Sequence, residues 1–487
     1  MVTRRVRAPR VDFSNLRREL ELPTQFPLAA QREADEAVAV PDPDPSWGGG
    51  SRTDRTDVPF VTIDPAESRD LDQAVCLSRL PGGGYRVRYA IADVAAYVRL
   101  GGALEAETWR RGVTVYLPDA KVPLHPESLS EGTASLLPDV DRAAVLWTID
   151  LDADGATTAA SLERAVVRSR AKLDYVGVQR DVDAGTVADP IALLPDIGRL
   201  LLARGLARGA INLPMPEQEI QRSADDHEGG WRLVLRAPVP VEEYNAQISL
   251  LTGMTAADIM LRGGLGLLRT MPAAAPQAVE RLRAAAKALR IDWPDGASVG
   301  QVVASVDPGQ PRAAAFLDQA AELMRGAGYT AFDGPAPAEP AHGAVAAPYA
   351  HVTAPLRRLA DRYATEVCLA LHDGRSVPGW TRDALGRLPD VMVAADRVAS
   401  TAERGAIDEI EAVLLADRVG EQFDAAVVDV DAPPKAPDER RQPGGSIALD
   451  QPPVRARCEG ELPLGERIRV RLVSADPKQR KVLFCRA

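Results

Sequence analysis

The sequence predicts an α+β protein in which a large unit of mixed strands and helices precedes a small all-β barrel. Short strand-like segments begin at Val58, where the Pro-, Gly- and Asp-rich stretch of the chain ends. Residues 255–335 are rich in Ala, Leu and Arg and have the periodicity of amphipathic helices. Residues 420–487 return to short alternating segments, whose length and spacing suit a barrel of the OB type.

Changes in composition divide the chain into four consecutive parts. The first contains one short helix, FSNLRRELEL, followed by a linker rich in Pro, Gly and Asp over 39–57. The last contains a polar loop insert over 431–445. The predicted parts are an N-terminal arm and linker (1–57), the mixed unit (58–372), a helical connection packed on that unit (373–418) and the barrel (419–487).

The clearest elements of the mixed unit lie near its two ends. PFVTID, QAVCLSRL and YRVRYAIADV predict three strands, and PGGG at 81–84 predicts a hairpin turn between the last two. PLRRLADRYATEVCLALH at 355–372 predicts an amphipathic helix, with Pro355 in its first turn, where a missing N–H group costs little.

Composition and charge exclude several classes of protein. The net charge of −11 argues against non-specific coating of nucleic acid. No apolar run reaches the roughly 18 residues that a membrane span needs. The four cysteines lie far apart without a CxxC pair, which excludes a disulfide framework or a zinc cluster. No secretory signal is visible at the N-terminus, so we expect a reduced, cytoplasmic setting without a membrane partner.

Three carboxylates crowd beside apolar residues in VTIDPAESRDLDQAV, residues 61–75. Asp64 ends an apolar strand, and Asp70 and Asp72 point to one side of an extended segment. A turn between Asp64 and Asp70 would gather all three around one point, where like charges repel unless a cation neutralises them. Magnesium prefers carboxylate oxygens and keeps waters for a phosphate substrate. The spacing alone fits turn formers and helix caps equally well.

Several long segments resemble one family in their order along the chain. TIDPAESRDLDQA, YRVRYAIADVAAYV and GVTVYLPDAKVPLHPESLSEGTASLLPDVDRAAV are followed by LARGAINLPMPE, VEEYNAQISLLTG and YAHVTAPLRRLADRY. Together they resemble the catalytic domain of the RNB family, the RNase II and RNase R group, over about residues 58–372. The terminal barrel is similar, more loosely, to the RNA-binding OB domain of that family.

The resemblance implies a hydrolytic 3′→5′ exoribonuclease that degrades single-stranded RNA to nucleoside 5′-monophosphates. The strand would thread through a narrow channel to a buried site that uses Mg²⁺, with Mn²⁺ as the other candidate. A monomer is expected on the same ground. Asp64 is implied as a metal ligand, Asp70 as a residue that holds metal or the 3′-terminal nucleotide, and Asp72 as the essential catalytic residue.

The arginine pair in PLRRL matches a phosphate-binding position of the family. Arg357 corresponds to the arginine at the scissile phosphate, where its fork suits a phosphate bidentately. Arg358 would lie about 100° around a helix from it and is expected to be a neighbour rather than an equal partner. The alternative for the pair is an ion pair with Asp361 or Glu366.

Aromatic and acidic residues complete the implied RNA site. Tyr116 matches an aromatic that stacks on the terminal base, a contact that every base can make. Tyr175 matches a position that helps to select RNA through ribose contacts. Glu242 or Glu243 supplies a partner carboxylate, and the resemblance does not decide between them.

Gln73 stands where the family has a fourth aspartate. An amide oxygen can reach a metal, but it is neutral and a weaker ligand, so we expect affinity at one metal position to fall by about 10- to 100-fold. A higher magnesium requirement, or better activity with manganese, would follow. The alternative is an RNA-binding pseudo-nuclease in which Gln73 marks a decayed centre.

Overall fold

The computed structural model of the chain describes residues 5–8, 11–39, 51–222, 230–431 and 442–487. Most of the predicted linker and most of the predicted polar insert of the barrel lie outside these residues. Within the described ranges, no helix is both long enough and apolar enough to cross a membrane. All four cysteines are free thiols, and three of them are buried.

Strands dominate the first third of the main unit and the whole of the C-terminal unit. The strands of the described residues are β1 Arg5–Ala8, β2 Thr53–Asp54, β3 Phe60–Asp64, β4 Gln73–Arg79, β5 Tyr85–Ala92, β6 Val115–Tyr116, β7 Lys121–Val122, β8 Asp141–Leu151, β9 Thr157–Asp174, β10 Glu217–Arg222, β11 Trp231–Arg236, β12 Leu265–Thr270, β13 Gly328–Asp333, β14 Ala341–His342, β15 Ala347–Pro348, β16 Gln422–Val430, β17 Gly444–Leu449, β18 Arg455–Glu459, β19 Arg467–Asp476 and β20 Lys481–Arg486.

Helices fill the middle of the chain and connect the two units. The α-helices of the described residues are α1 Ser14–Glu19, α2 Leu28–Ala39, α3 Ala103–Arg111, α4 Tyr175–Ala184, α5 Leu194–Arg208, α6 Pro240–Gly263, α7 Pro276–Leu289, α8 Val299–Ser305, α9 Pro311–Ala321, α10 Leu359–His372, α11 Gly379–Leu385 and α12 Leu388–Leu415.

A six-stranded sheet in the order β2-β9-β3-β4-β5-β8 forms the centre of the main unit. The long strand β9 pairs in parallel with β3 at one end and antiparallel with β8 at the other, so the sheet closes on itself. The three strands predicted from the sequence are β3, β4 and β5. Gly84, in the predicted PGGG turn, has φ of +83°, and a Cβ there would lie 2.3 Å from the Leu151 carbonyl oxygen. Only glycine fits this turn.

Two further units contact each other through α9 and β16. Helices α7, α8 and α9 share a small core of their own around Phe316 and Leu282. Strands β16-β17-β18-β20-β19 form a closed barrel, with the buried rings of Phe423 and Phe484 edge to face inside it. The barrel matches the prediction of an OB-type unit at the C-terminus.

The N-terminal arm packs on the main unit, which the sequence did not predict. Phe13 and Leu16 are buried in the main core, and β1 pairs with β11. Arg17 Nη1 lies 2.6 Å from Asp119 Oδ1, in the hairpin formed by β6 and β7. The predicted helix FSNLRRELEL contains α1, whereas α2 was not predicted. These segments bind through contacts with distant parts of the chain, which local periodicity does not encode.

The predicted helix 355–372 begins later in the structure, at Leu359. The carboxylate of Asp361 accepts a hydrogen bond from the Ala354 N–H group at 2.7 Å, which folds the preceding residues into a turn. Arg358 is extended, with φ of −135°, and forms a β-bridge with Val113. The turn therefore presents Arg357 and Arg358 before the helix, not on it.

A buried ion network fixes α10 to the sheet. Asp93, directly after β5, accepts from Arg52 at 2.8 Å and also pairs with Arg164 of β9. Arg164 in turn pairs with Glu366 of α10. All four side chains are at most 10% exposed. Two cations and two anions balance, so no charge is left buried without compensation.

We predict that Arg164→Met lowers the free energy of unfolding by about 3–5 kcal/mol, because Asp93 and Glu366 lose their shared cation inside the protein. Arg168→Met is the matched control, since Arg168 lies on the same strand and pairs with Asp141 at 2.7 Å at the surface. The control should cost at most about 1 kcal/mol. Urea unfolding measures both, and equal losses would contradict the assignment.

Candidate active site

Asp64 and Asp72 lie at the ends of two neighbouring strands of the central sheet. Asp64 is the last residue of β3, opposite Asp174 of β9, and Asp72 directly precedes β4. Strands β3 and β4 are antiparallel, with Val61 opposite Val75, so the end of one meets the start of the other. The sheet thus brings the backbone positions of both aspartates to the same end of the β3–β4 pair.

A buried serine holds the segment between these aspartates. The Leu71 N–H group donates to Ser135 Oγ at 3.0 Å, and Ser135 Oγ donates to the Arg69 carbonyl oxygen at 2.6 Å. Leu136, which follows Ser135, also binds this segment, because its N–H group donates to the Leu71 carbonyl oxygen at 3.0 Å. Ser135 is fully buried. It was not singled out from the sequence, because nothing local marks a serine 64 positions away as the partner of this segment.

Asp72 is the most deeply buried of the three predicted aspartates, at 4% exposure. Its Oδ1 accepts a hydrogen bond from the Leu356 N–H group at 2.8 Å, and its Oδ2 lies 3.4 Å from Arg357 Nε. Burial raises the pKa of Asp72 to about 8, against the lowering effect of Arg357 and the Leu356 N–H group. A positive charge close to Asp72 would therefore stabilise its charged form, which burial disfavours.

Asp64 shares this environment. Burial raises its pKa to about 6; the Arg357 charge opposes the rise and the Asp70 charge adds to it. Lys172 of β9 also lies close enough to lower the pKa of Asp64. The charges of Arg357 and Asp70 thus act on both Asp64 and Asp72.

Asp70 is bound to the predicted stacking residue. The Tyr116 hydroxyl donates to Asp70 Oδ2 at 2.7 Å, while the tyrosine as a whole is 49% exposed. Burial of the hydroxyl end and the Asp70 charge raise the pKa of Tyr116, which keeps that end protonated as a donor. Tyr116 of β6 therefore lies beside the Asp70 carboxylate, and its stacking on a terminal base stays a prediction.

The two arginines of PLRRL have different environments. The side chain of Arg357 is 47% exposed. Arg358 donates to both carboxylate oxygens of Asp361, at 3.0 and 2.9 Å, and Asp361 is completely buried. The guanidinium of Arg358 therefore pairs with Asp361, which is the alternative given above for the arginine pair, and a role of Arg358 in binding RNA stays a prediction. The physical reason is that Asp361 would otherwise be an unpaired charge inside the protein.

Tyr175 and the two glutamates lie along α4 and α6. Tyr175 begins α4, and its hydroxyl accepts from Asn245 Nδ2 at 3.3 Å. Burial, followed by the charges of Asp64 and Glu242, raises the pKa of Tyr175. Glu243 instead accepts from Asn212 at 3.0 Å. Of the two candidates, Glu242 is the one whose charge reaches Tyr175.

Two local hydrogen bonds hold the Glu242 carboxylate. Its Oε1 accepts from Arg236 Nη1 at 2.7 Å and from the Val239 N–H group at 3.0 Å, so it also caps the start of α6. Asn245, three positions along the same helix, was missed in the sequence. Its spacing from Glu242 places both on one helical face, which is the signal that could have found it.

The contacts of Gln73 depart from the prediction of a fourth metal ligand. Its Oε1 accepts from the Tyr89 hydroxyl at 2.8 Å, and its Nε2 donates to the Thr353 carbonyl oxygen at 2.5 Å. Both ends of the amide are already bound by protein groups. A glutamine can accept with one end and donate with the other, whereas an ionised aspartate can only accept.

The expected gathering of three carboxylates around one point is also not what the structure shows. In the described part of the chain, no group of three or more His, Cys, Asp or Glu residues is close enough to hold one ion. Asp70 is turned to Tyr116, and Asp72 to Leu356 and Arg357. The donor chemistry still fits Mg²⁺, which proteins bind through one or two carboxylates, waters and substrate phosphates.

Comparison with known proteins decides the family. The family model described as the RNB domain matches residues 52–371, and the model of the RNase II-type exonuclease C-terminal S1 domain matches residues 421–487. The chain belongs to the RNB family. The resemblance found in the sequence and the predicted fold class are both confirmed.

RNB relatives are similar over most of this chain. Ribonuclease R of Escherichia coli (strain K12) is 26% identical over 435 residues, which are 84% of this chain and 52% of that protein. The chain thus spans about half the length of this relative. The structure of Mycoplasma genitalium RNase R in complex with ribose methylated single-stranded RNA has a TM-score of 0.81 at 19% identity, covering 97% of this chain and 77% of the other.

The RNB fold also occurs in a protein described as a pseudonuclease. The structure of yeast Ssd1 has a TM-score of 0.64 at 17% identity and covers 91% of this chain and 53% of its own. At these identities the likeness shows the fold alone. The activity must therefore be argued from the side chains of the site.

We predict that Ser135→Ala lowers the free energy of unfolding by about 1–3 kcal/mol, because the buried Leu71 N–H group loses its acceptor. Ser130→Ala is the matched control: Ser130 is also buried, but its hydroxyl only donates to carbonyl oxygens, at 3.3 and 3.4 Å. Urea unfolding of both variants checks this. If Ser135→Ala lowers the free energy of unfolding no more than the control does, Ser135 does not hold the segment between the aspartates.

Proposed function

We propose that the chain is a metal-dependent hydrolytic exoribonuclease that shortens single-stranded RNA from its 3′ end and releases nucleoside 5′-monophosphates. The proposal depends on one observation, which is that the half-exposed Arg357 lies beside the buried Asp72. The charge of Asp70 acts on Asp72 and on Asp64, and Asp70 is hydrogen-bonded to Tyr116. Membership of the RNB family and the ribonuclease names of its relatives support it.

Arg357 is the residue best placed to bind a phosphate. Its Nε lies 3.4 Å from Asp72 Oδ2, which is a long contact, and its side chain is 47% exposed. A guanidinium carries N–H groups in the fork geometry that matches two phosphate oxygens. A positive charge fixed at the scissile phosphate stabilises the negative charge that develops in the transition state.

Two tyrosines are placed to hold the end of a strand. The half-exposed ring of Tyr116 offers a flat face to a base, a contact that needs no particular sequence. Its hydroxyl, anchored on Asp70, fixes the ring. Tyr175, held by Asn245, has a hydroxyl near Asp64 that suits a ribose 2′-OH group.

Asp64 and Asp70 would hold a divalent cation, with Asp72 orienting the groups around it. Such an ion supplies Lewis acidity toward the phosphodiester and lowers the pKa of a bound water. Burial raises the pKa of both Asp64 and Asp72, and a bound cation would favour the charged form of each carboxylate. Mg²⁺ is the first candidate for this cation, and Mn²⁺ is the second.

A binding protein without activity is the second candidate. Gln73 replaces one acidic residue of the family pattern, and its amide is bound by Tyr89 and Thr353. The fold of Ssd1, described as a pseudonuclease, shows that this architecture does not require activity. The two candidates differ in one outcome, which is whether bound RNA is shortened.

We expect 5′-labelled single-stranded RNA to be shortened progressively from its 3′ end with Mg²⁺ and to stay intact with EDTA. Asp72→Asn should slow the reaction by about 10²- to 10⁴-fold, because the buried carboxylate can no longer organise the reacting groups. Asp292→Asn, at an exposed site on the surface, is the control and should keep the wild-type rate. Denaturing gel electrophoresis measures the products.

RNA that is bound but remains full length with Mg²⁺ and with Mn²⁺ would overturn the exoribonuclease and support the binding protein. Filter binding on the same samples separates that result from a simple failure to bind RNA.

A further inference from the structure

The amide of Gln73 joins two distant parts of the site. Gln73 is the first residue of β4 and directly follows Asp72. Its Nε2 donates to the carbonyl oxygen of Thr353, 280 positions away in the chain. On its other side, its Oε1 accepts from the Tyr89 hydroxyl, which also contacts Ser249 Oγ of α6 at 2.8 Å.

The orientation of this amide is fixed by its partners. A backbone carbonyl can only accept a hydrogen bond, so the nitrogen end of the amide must face Thr353. The oxygen end must then face Tyr89. Both partners are buried, at 4% exposure for Thr353 and 1% for Tyr89, so water does not replace either contact without cost.

The partner carbonyl belongs to the segment that carries Arg357. Three side chains hold this segment: Gln73 binds the carbonyl of Thr353, Asp361 binds the N–H group of Ala354, and Asp72 binds the N–H group of Leu356. Gln73 and Asp72 are adjacent, so one end of β4 holds the segment at two points. Arg357 directly follows the second point.

We propose that Gln73 is a positioning residue for Arg357 and not a metal ligand. This inference rests on the proposed function, because it assigns to Arg357 the phosphate contact described above. A carboxylate at position 73 has no hydrogen to donate to Thr353, and its charge would repel the carbonyl oxygen. The glutamine therefore holds the segment in a way that an acidic residue cannot.

The test compares Gln73→Glu and Gln73→Met with wild type. Glutamate keeps the length and adds a charge, whereas methionine keeps the length and removes both polar ends. If Gln73 positions Arg357, both variants lower kcat by about 10- to 100-fold, and the Mg²⁺ concentration at half-maximal activity stays within about twofold. If Gln73 is a ligand, Gln73→Glu lowers that concentration and keeps kcat, and this result would overturn the proposal.

A matched control excludes a general effect of losing a glutamine. Gln218 also donates from its Nε2 to a backbone carbonyl oxygen, that of Pro453 at 2.7 Å, but at the junction with the barrel. Gln218→Met should keep kcat within about twofold. Circular dichroism and urea unfolding establish which variants fold, and either Gln73 variant alone suffices for the comparison.

A double-mutant cycle separates positioning from a loss of stability. In the Arg357→Ala background, Gln73→Met should cost less than about twofold in kcat, because its effect passes through Arg357. A loss equal to that in the wild-type background would overturn the proposal, since Gln73 would then act independently of Arg357.

Binding of Mn²⁺ to the RNA-free protein gives a readout that does not need activity. The Mn²⁺ affinity of Gln73→Met, followed by electron paramagnetic resonance, should stay within about twofold of wild type. A fall of about tenfold or more would identify Gln73 as a ligand. If wild type does not shorten RNA, the proposed function fails, and this measurement still decides whether Gln73 binds metal.

Discussion

The structure of the site depends on one buried hydrogen bond, in which the carboxylate of Asp72 accepts from the N–H group of Leu356. The two residues are 284 positions apart, so this bond joins the start of β4 to the segment before α10. Burial disfavours the charged carboxylate, and the compensation comes from Leu356 and from Arg357 beside it. The same contact therefore positions Asp72 and, one residue beyond Leu356, Arg357.

Rigid supports surround this contact, and each one removes a degree of freedom from the site. The closed sheet fixes Asp64 and Asp72, Ser135 clamps the segment between them, and the network around Arg164 fixes the helix that follows Arg357. Catalytic geometry tolerates displacements of only a fraction of an ångström, so supports of this kind are expected around reacting groups. The half-exposed side chains of Arg357 and Tyr116 are the parts left accessible to a ligand.

Local patterns in the sequence predicted the parts of the fold that local physics determines. The strands β3 to β5, the PGGG turn and the C-terminal barrel follow from alternation and turn residues, and the long ordered segments identified the family. The turn before α10, the packing of Phe13 and the partners of Gln73 depend on contacts between distant residues, which no local pattern contains. Arg358 is instructive, because its neighbour Arg357 has the same charge and sequence context. Only the buried Asp361 decides that one is structural and the other exposed.

Membership of the RNB family does not by itself show activity, so the decisive evidence is where an ion and an RNA end bind in this chain. The most direct measurement is a crystal structure of the Asp72→Asn variant, in which the proposed cleavage should be about 10²- to 10⁴-fold slower, with Mn²⁺ and a short single-stranded RNA. The account predicts anomalous scattering from Mn²⁺ between the carboxylates of Asp64 and Asp70 and the last phosphodiester, with that phosphate bound by Arg357. An RNA end bound elsewhere, or a phosphate at Arg357 with no ion beside those carboxylates, would contradict it.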